Sequence, residues 1–348
     1  MSDIPTELPD FLGWPDLASR ANAGAVVWAT DESFAERENL IRSSEPVFDP
    51  TEFGNKGKVY DGWETRRRRH GEIGGHDAAI VRLGVPGQIR GIIVDTAWFT
   101  GNFPPQFAVS GLTCDEVLSG EEIAALPEDS WTTLVPVTDA LGDHRHYFEI
   151  TGDAAGRRFT HVRLDMIPDG GIARLRVHGQ PVPDPRFLGG TVDLAALENG
   201  GRVTACSNMF YSRPDHVISL GRARNMGEGW ENARRRDDGN DSVTVELAGE
   251  GRVRWIELDT SYFVFNAPGD VKITGITGDG GEVELVAKTR SLPDHRHRFL
   301  VSDPEEGSTG PTPVTAVRVD VYPDGGLSRL RVWGELTEEG RRTIRSRW

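Results

Sequence analysis

The stretch Thr160–Gly179, THVRLDMIPDGGIARLRVHG, occurs a second time as Thr315–Gly334, TAVRVDVYPDGGLSRLRVWG. At this offset of 155, 13 of 20 positions are identical, where ordinary residue usage gives about one chance match. Other blocks repeat in the same order. Gly62-Trp63-Glu64 with Arg67-Arg68-Arg69 matches Gly229-Trp230-Glu231 with Arg234-Arg235-Arg236. Asp95-Thr96 matches Asp259-Thr260, and Asn102 with Pro104 matches Asn266 with Pro268. Asp143-His144-Arg145-His146 matches Asp294-His295-Arg296-His297. The offsets drift because loops tolerate insertions. We therefore expect an N-terminal extension over 1–20, a first repeat over 21–182, a linker over 183–194, a second repeat over 195–340 and a tail over 341–348.

Each repeat reads as β. In Val162-Arg163-Leu164-Asp165-Met166 apolar and polar residues alternate, and Arg174-Leu175-Arg176-Val177 resumes the alternation after Pro168-Asp169-Gly170-Gly171. That pattern predicts a hairpin. Ile89–Thr96 is a more continuous apolar run, as a sandwich-core strand requires. Helical patterning is confined to Ser119–Ala125 and Val192–Leu197. Gly 41 and Pro 21 are about 18% of the chain against about 12% on average, spread as many short turns would need. The expected fold is all-β: two tandem β-sandwiches of jelly-roll type, with a strand-rich barrel as the alternative.

Composition removes several functions. With 348 residues and a net charge of −15, the surface repels phosphate backbones, so nucleic acid is not expected as a partner. No apolar run approaches the ~18 residues of a membrane span. MSDIPTELPDF carries neither the basic nor the apolar part of a secretory signal. Cys114 and Cys206 form no paired motif and read as reduced thiols of a cytoplasmic protein.

A set of motifs runs through the chain in order: Ala29-Thr30-Asp31-Glu32, the run Asp61–Arg69 (DGWETRRRR), Gly75-His76-Asp77, Leu83-Gly84-Val85-Pro86-Gly87, Val94-Asp95-Thr96, Gly101-Asn102-Phe103-Pro104 and Asn225-Met226-Gly227. In these the sequence resembles the allantoicase family over nearly its whole length. The resemblance implies two tandem galactose-binding-like jelly rolls, a homo-oligomer, and hydrolysis of allantoate to ureidoglycolate and urea in purine catabolism. Some positions depart from the family pattern. Ala78 and Ser242 stand where an aromatic residue is common, and Trp98 and Tyr262 where a histidine is common. They frame two alternatives: a paralogue acting on another ureido or guanidino compound, or a non-catalytic small-ligand or sugar-binding protein using Trp63, Trp98 and Trp230.

Allantoate carries one carboxylate and two ureido groups on one carbon. Its site needs a cation, amide partners, and a group that moves a proton. Arg66, Arg67 and Arg68, read as a strand with alternating faces, supply cations; a solvated edge strand is the plain alternative. Trp63 and Asn102 join them as substrate-binding candidates. Candidate acids and bases are His76, Asp77, Glu64, Asp31, Glu32 and Asp95. Asp31 and Glu32 align with Ser207 and Asn208, and His76 with Asn240, so the first repeat is expected to carry the proton transfer. His144 and His146, two apart on a strand, are candidates for a proton relay or for a divalent metal such as manganese, and the cofactor is otherwise unassigned.

Overall fold

A computed structural model describes residues 9–69, 75–301 and 311–348. The chain divides after Gln180 into two compact units. The first unit contains β1 (Ala25–Ala29), β2 (Asp77–Asp95), β3 (Gln106–Leu112), β4 (Thr132–Asp139), β5 (Arg145–Glu149), β6 (Arg158–Ile167) and β7 (Arg174–Pro181). In the second unit follow β8 (Arg202–Cys206), β9 (Asp241–Asp259), β10 (Asp270–Ile276), β11 (Glu282–Arg290), β12 (Arg296–Leu300), β13 (Val314–Tyr322) and β14 (Arg329–Leu336).

The organising element is β2, 19 residues long. Its first part pairs antiparallel with β1 and β6, from Ala79↔Ala29 and Asp77↔Met166 onward. Its second part pairs with β5, from Gly91↔Glu149 to Asp95↔Arg145, and β7 also pairs with β2. One strand thus passes from one layer of the sandwich to the other. The β6 register breaks between Arg82 and Gly87. The run expected as a core strand, Ile89–Thr96, is the end of β2 and the residue after it, and Ile89, Ile92 and Val94 are fully buried. In the second unit β9 does the same, pairing first with β8 and β13 and then with β12 and β14. Each unit is a jelly-roll β-sandwich, and the chain is all-β apart from short helices.

The predicted hairpin is corrected. β6 pairs with β2 and β3, not with β7. Pro168–Gly171 is therefore an arch from one layer to the other. Alternation marks a strand with one buried face, but not its partner. The arch is tight. A Cβ on Gly171 would lie 2.0 Å from Cε1 of buried Phe99, and one on Gly326 would lie 1.8 Å from Cε1 of Phe263. Gly171→Ala should therefore destabilise the protein by about 1–3 kcal/mol, read as a lower denaturation midpoint.

Other local readings resolve as follows. Ser119 caps the helix Gly120–Ala124 through a capping box with Glu122, as its sequence expects. Val192–Leu197 is not helical: Val192–Asp193 is a strand paired with Trp333 and Gly334, and Leu197 opens a 3-10 turn. Residues 341–348 largely belong to the helix Glu338–Arg347. Of the expected N-terminal extension, residues 1–8 lie outside the described residues. Leu17 is fully buried and donates to the Val177 carbonyl at 2.8 Å. Both cysteines are free. No helix among the described residues is long and apolar enough to cross a membrane.

Candidate active site

The run after Trp63 is not a strand. Only Trp63–Glu64 pairs, with Gly171–Ile172 of the arch, and residues 65–69 are irregular. The expected alternation of arginine faces is thereby corrected: Arg66 and Arg68 are placed by their own partners. The Arg66 amide donates to Asp31 Oδ1 at 2.8 Å, and its guanidinium lies 3.7 Å from Asp31 Oδ2. Arg68 is tied down by its amide to Asp169 (2.7 Å) and by its guanidinium to Asp77 Oδ1 (2.8 Å) and the His76 carbonyl (2.7 Å). Arg67 is exposed and lies between them in sequence.

Arg67 faces a cleft of about 610 Å³ that also receives Glu64, Asn102, Asp169, Lys56 and Lys58. Asn102 Nδ2 donates to Glu64 Oε1 at 2.8 Å. Burial pushes the Glu64 carboxyl up, against the Asn102 hydrogen bond and the Arg67 charge, which both work downward. The cleft therefore holds a carboxyl with strengthened basicity, an amide and several cations. Glu64 and Arg67, from one short motif, and Asn102, 35 positions beyond Arg67, are the expected residues that the structure brings together.

The remaining candidates sort differently. Trp63 is fully buried and its indole N–H donates to the Asp31 carbonyl at 2.7 Å. It is a core residue and cannot touch a ligand, and the equally buried Trp230 does the same with Asn208. Asp31 accepts from the Ser33 and Arg66 amides and the Ser33 hydroxyl, so it shapes a turn. Glu32 is exposed, beside Arg37. Asp95 is buried, paired with Arg145 Nε at 2.9 Å and bonded to the Ala97 amide. Asp77 is buried and accepts from Arg68 and Thr30 on Oδ1.

These partners also correct the repeat alignment by one residue. Asp31 corresponds to Asn208, because each carbonyl takes the Trp indole and each side chain takes the amide of Arg66 or Ala233. Thr30 corresponds to Ser207, each donating to the buried aspartate, Asp77 or Asp241.

His146 is not placed to bind a metal. Its Nδ1 lies 3.0 Å from the Val94 carbonyl and its Nε2 accepts from the Leu141 amide at 3.0 Å. His297 repeats this with Leu258 and Leu292. Both ring nitrogens are spent on the backbone, and burial lowers the pKa of both histidines. His144 packs edge-on against His146. Among the described residues no group of three or more His, Cys, Asp or Glu can hold a metal ion. Around His144 and His146 the described donors do not fit the manganese expectation.

His76 does have a partner that suits proton chemistry. Its Nε2 lies 3.2 Å from Asp165 Oδ1, and Asp165 in turn holds Arg163, which grips Glu128. In the second unit Asn240, Asp320, Arg318 and Glu282 form the same chain without the titrating ring. The hydrogen bond to Asp165 raises the His76 pKa, outweighing burial, which acts downward. A raised folded pKa contributes stability that is fully present below the unfolded value of about 6.5 and is lost as pH rises through the folded value. His76→Gln should therefore lower the melting temperature near pH 5.5 and leave it nearly unchanged near pH 9, as thermal unfolding at the two pH values would read.

Lys56, Lys58 and Asp169 were missed from the sequence. Lys56 and Lys58 lie in an unrepeated stretch, and Asp169 inside a motif that reads as a turn.

The comparisons agree with this architecture. A family model described as the Allantoicase repeat matches residues 15–182 and 192–337. A probable allantoicase of Nocardia farcinica is 53% identical over 327 residues, covering 94% of this chain and 95% of that protein. The allantoicase of Dictyostelium discoideum is 40% identical over 329 residues, covering 91% and 86%. The crystal structure of allantoicase from Saccharomyces cerevisiae superposes with a TM-score of 0.78 at 32% identity, covering 92% of each chain. By the duplicated motif, the paired sandwiches and these matches, the chain belongs to the allantoicase family.

Proposed function

We propose that this chain hydrolyses allantoate to ureidoglycolate and urea, and that the first unit's cleft is where it does so. The observation that carries the placement is Glu64: half-buried, raised in pKa, oriented by Asn102 and set beside Arg67. Family membership supports the reaction itself.

The substrate's demands map onto these groups. Arg67 meets the carboxylate, with a planar guanidinium suited to two parallel hydrogen bonds. Asn102 both holds Glu64 and offers amide chemistry to a ureido group. Breaking the C–N bond requires one proton to reach the departing nitrogen, and the water that replaces it must lose one. Glu64 as carboxylate takes the proton and returns it to the leaving urea, ending as it began. Both displacement by water and elimination followed by hydration need this shuttle.

The reading is tested by incubating the purified chain with allantoate and measuring urea and ureidoglycolate together. Equimolar appearance of the two is expected. Intact allantoate after prolonged incubation would overturn it.

A further inference from the structure

The two units differ in length between one pair of equivalent anchors. In the first, buried Arg174 takes the carbonyls of Ser44 and Asp61. In the second, buried Arg329 takes those of Gly221 and Glu228. The chain runs 17 residues from the first anchor to the second in one unit and 7 in the other. The excess of ten builds a small hairpin, with Phe53 paired to Lys58 and Gly54 to Gly57.

This hairpin is fixed to the body by rings. Tyr60 stacks on buried Phe99 at 4.9 Å and on Phe48 at 5.2 Å, and Phe48 stacks on Trp98 at 5.7 Å. Lys58 Nζ lies 5.0 Å from the Phe48 ring centre. Lys56 Nζ donates to the Glu32 carbonyl at 3.2 Å. The result is that Lys56, Lys58 and Tyr60 form a wall of the cleft containing Glu64 and Arg67.

The second unit keeps the paired Glu231 and Asn266, 2.5 Å apart, but not this wall. The loop after Asn208 presents exposed Met209, Phe210 and Tyr211, and fully exposed Phe265 stands where the first unit has Gly101. Arg224, in its shorter segment, is held by Glu228.

We propose that the inserted hairpin between Ser44 and Asp61 is the specificity element of the first unit, with Lys56 and Lys58 facing the substrate carboxylate alongside Arg67. It selects small anionic ureido acids and confines them to this unit. The inference rests on the proposed reaction.

The test replaces Lys56 and Lys58 by Met together, and in a second variant by Arg. Both side chains are on an exposed hairpin, away from the core. The Met variant should raise KM for allantoate at least tenfold with kcat within threefold, and the Arg variant should restore KM to within threefold. Excess allantoate should also slow trypsin cleavage after Lys56 and Lys58 in the parent at least threefold. An unchanged KM in the Met variant, with cleavage indifferent to allantoate, overturns the hairpin's role and leaves the reaction standing. A parent chain that releases no urea overturns the reaction, and this inference with it.

Discussion

Glu64→Gln lowers kcat for allantoate by roughly 10²–10⁴-fold, the span over which a positioned proton-transfer group acts. The substitution keeps size and shape, and Asn102 can still donate to the amide oxygen that replaces Oε1. What is lost is the ability to carry a proton, so KM should move far less than kcat. The pH profile gives a second reading. Because burial penalises the carboxylate, Glu64 ionises above the ordinary glutamate range of about 4.3. The parent should lose activity as pH falls through that raised value, and the residual activity of Glu64→Gln should show no such limb. The matching change Glu231→Gln, in the unit without the lysine wall, should leave kcat within about threefold if the first unit is the catalytic one. A Glu64→Gln variant with kcat within threefold of the parent would remove Glu64 from the chemistry.

The duplication was legible because the arch and its flanking strands repeat residue for residue, from Thr160 and from Thr315. The partner of each strand was not. β6 and β7 alternate as a hairpin would, yet both lie against the long β2, whose passage between layers leaves no mark in the alternation. Glu64 and Asn102 were each visible as candidates, but their contact spans 38 positions and exists only in three dimensions. The histidine pair misled for a related reason. A side chain satisfied by the Val94 carbonyl and Leu141 amide bonds to groups that every residue carries, so no letter announces them. The inserted hairpin was present as a drift in repeat offset. Length alone cannot tell a wall of the site from an ordinary loop, and the lysines became informative only when seen beside Glu64.

Arg174→Met should destabilise the first unit by up to about 3–5 kcal/mol, the cost of taking the buried partner from a charge that keeps only the exposed Arg42 at 3.1 Å. Arg174 is about 1% exposed and bonds Asp61 Oδ2 at 2.7 Å, with further bonds to the carbonyls of Ser44, Asp61 and Ala173. Burial acts upward on the Asp61 carboxyl, but the Arg174 bond, the Val47 amide and the charges of Arg174 and Arg42 outweigh it and hold the pKa below the usual range. A depressed folded pKa contributes stability above the unfolded value that is lost as pH falls through the folded one. The deficit of Arg174→Met should accordingly shrink in acid, where Asp61 is protonated in both proteins. Adding Asp61→Leu to Arg174→Met should recover part of the loss, since an apolar pair no longer strands a charge. Arg329 provides the contrast: it bonds the carbonyls of Gly221, Glu228 and Ser328, and burial and Arg331 lower its pKa to about 10. With only carbonyls left behind, Arg329→Met should cost less than Arg174→Met. Urea unfolding followed for the three variants decides it, because equal losses for Arg174→Met and Arg329→Met, with no recovery from adding Asp61→Leu, would place the energy in the carbonyl bonds and not in the ion pair. Both ends of the inserted hairpin hang on Arg174, so the same variant should also raise KM for allantoate under conditions where the chain remains folded.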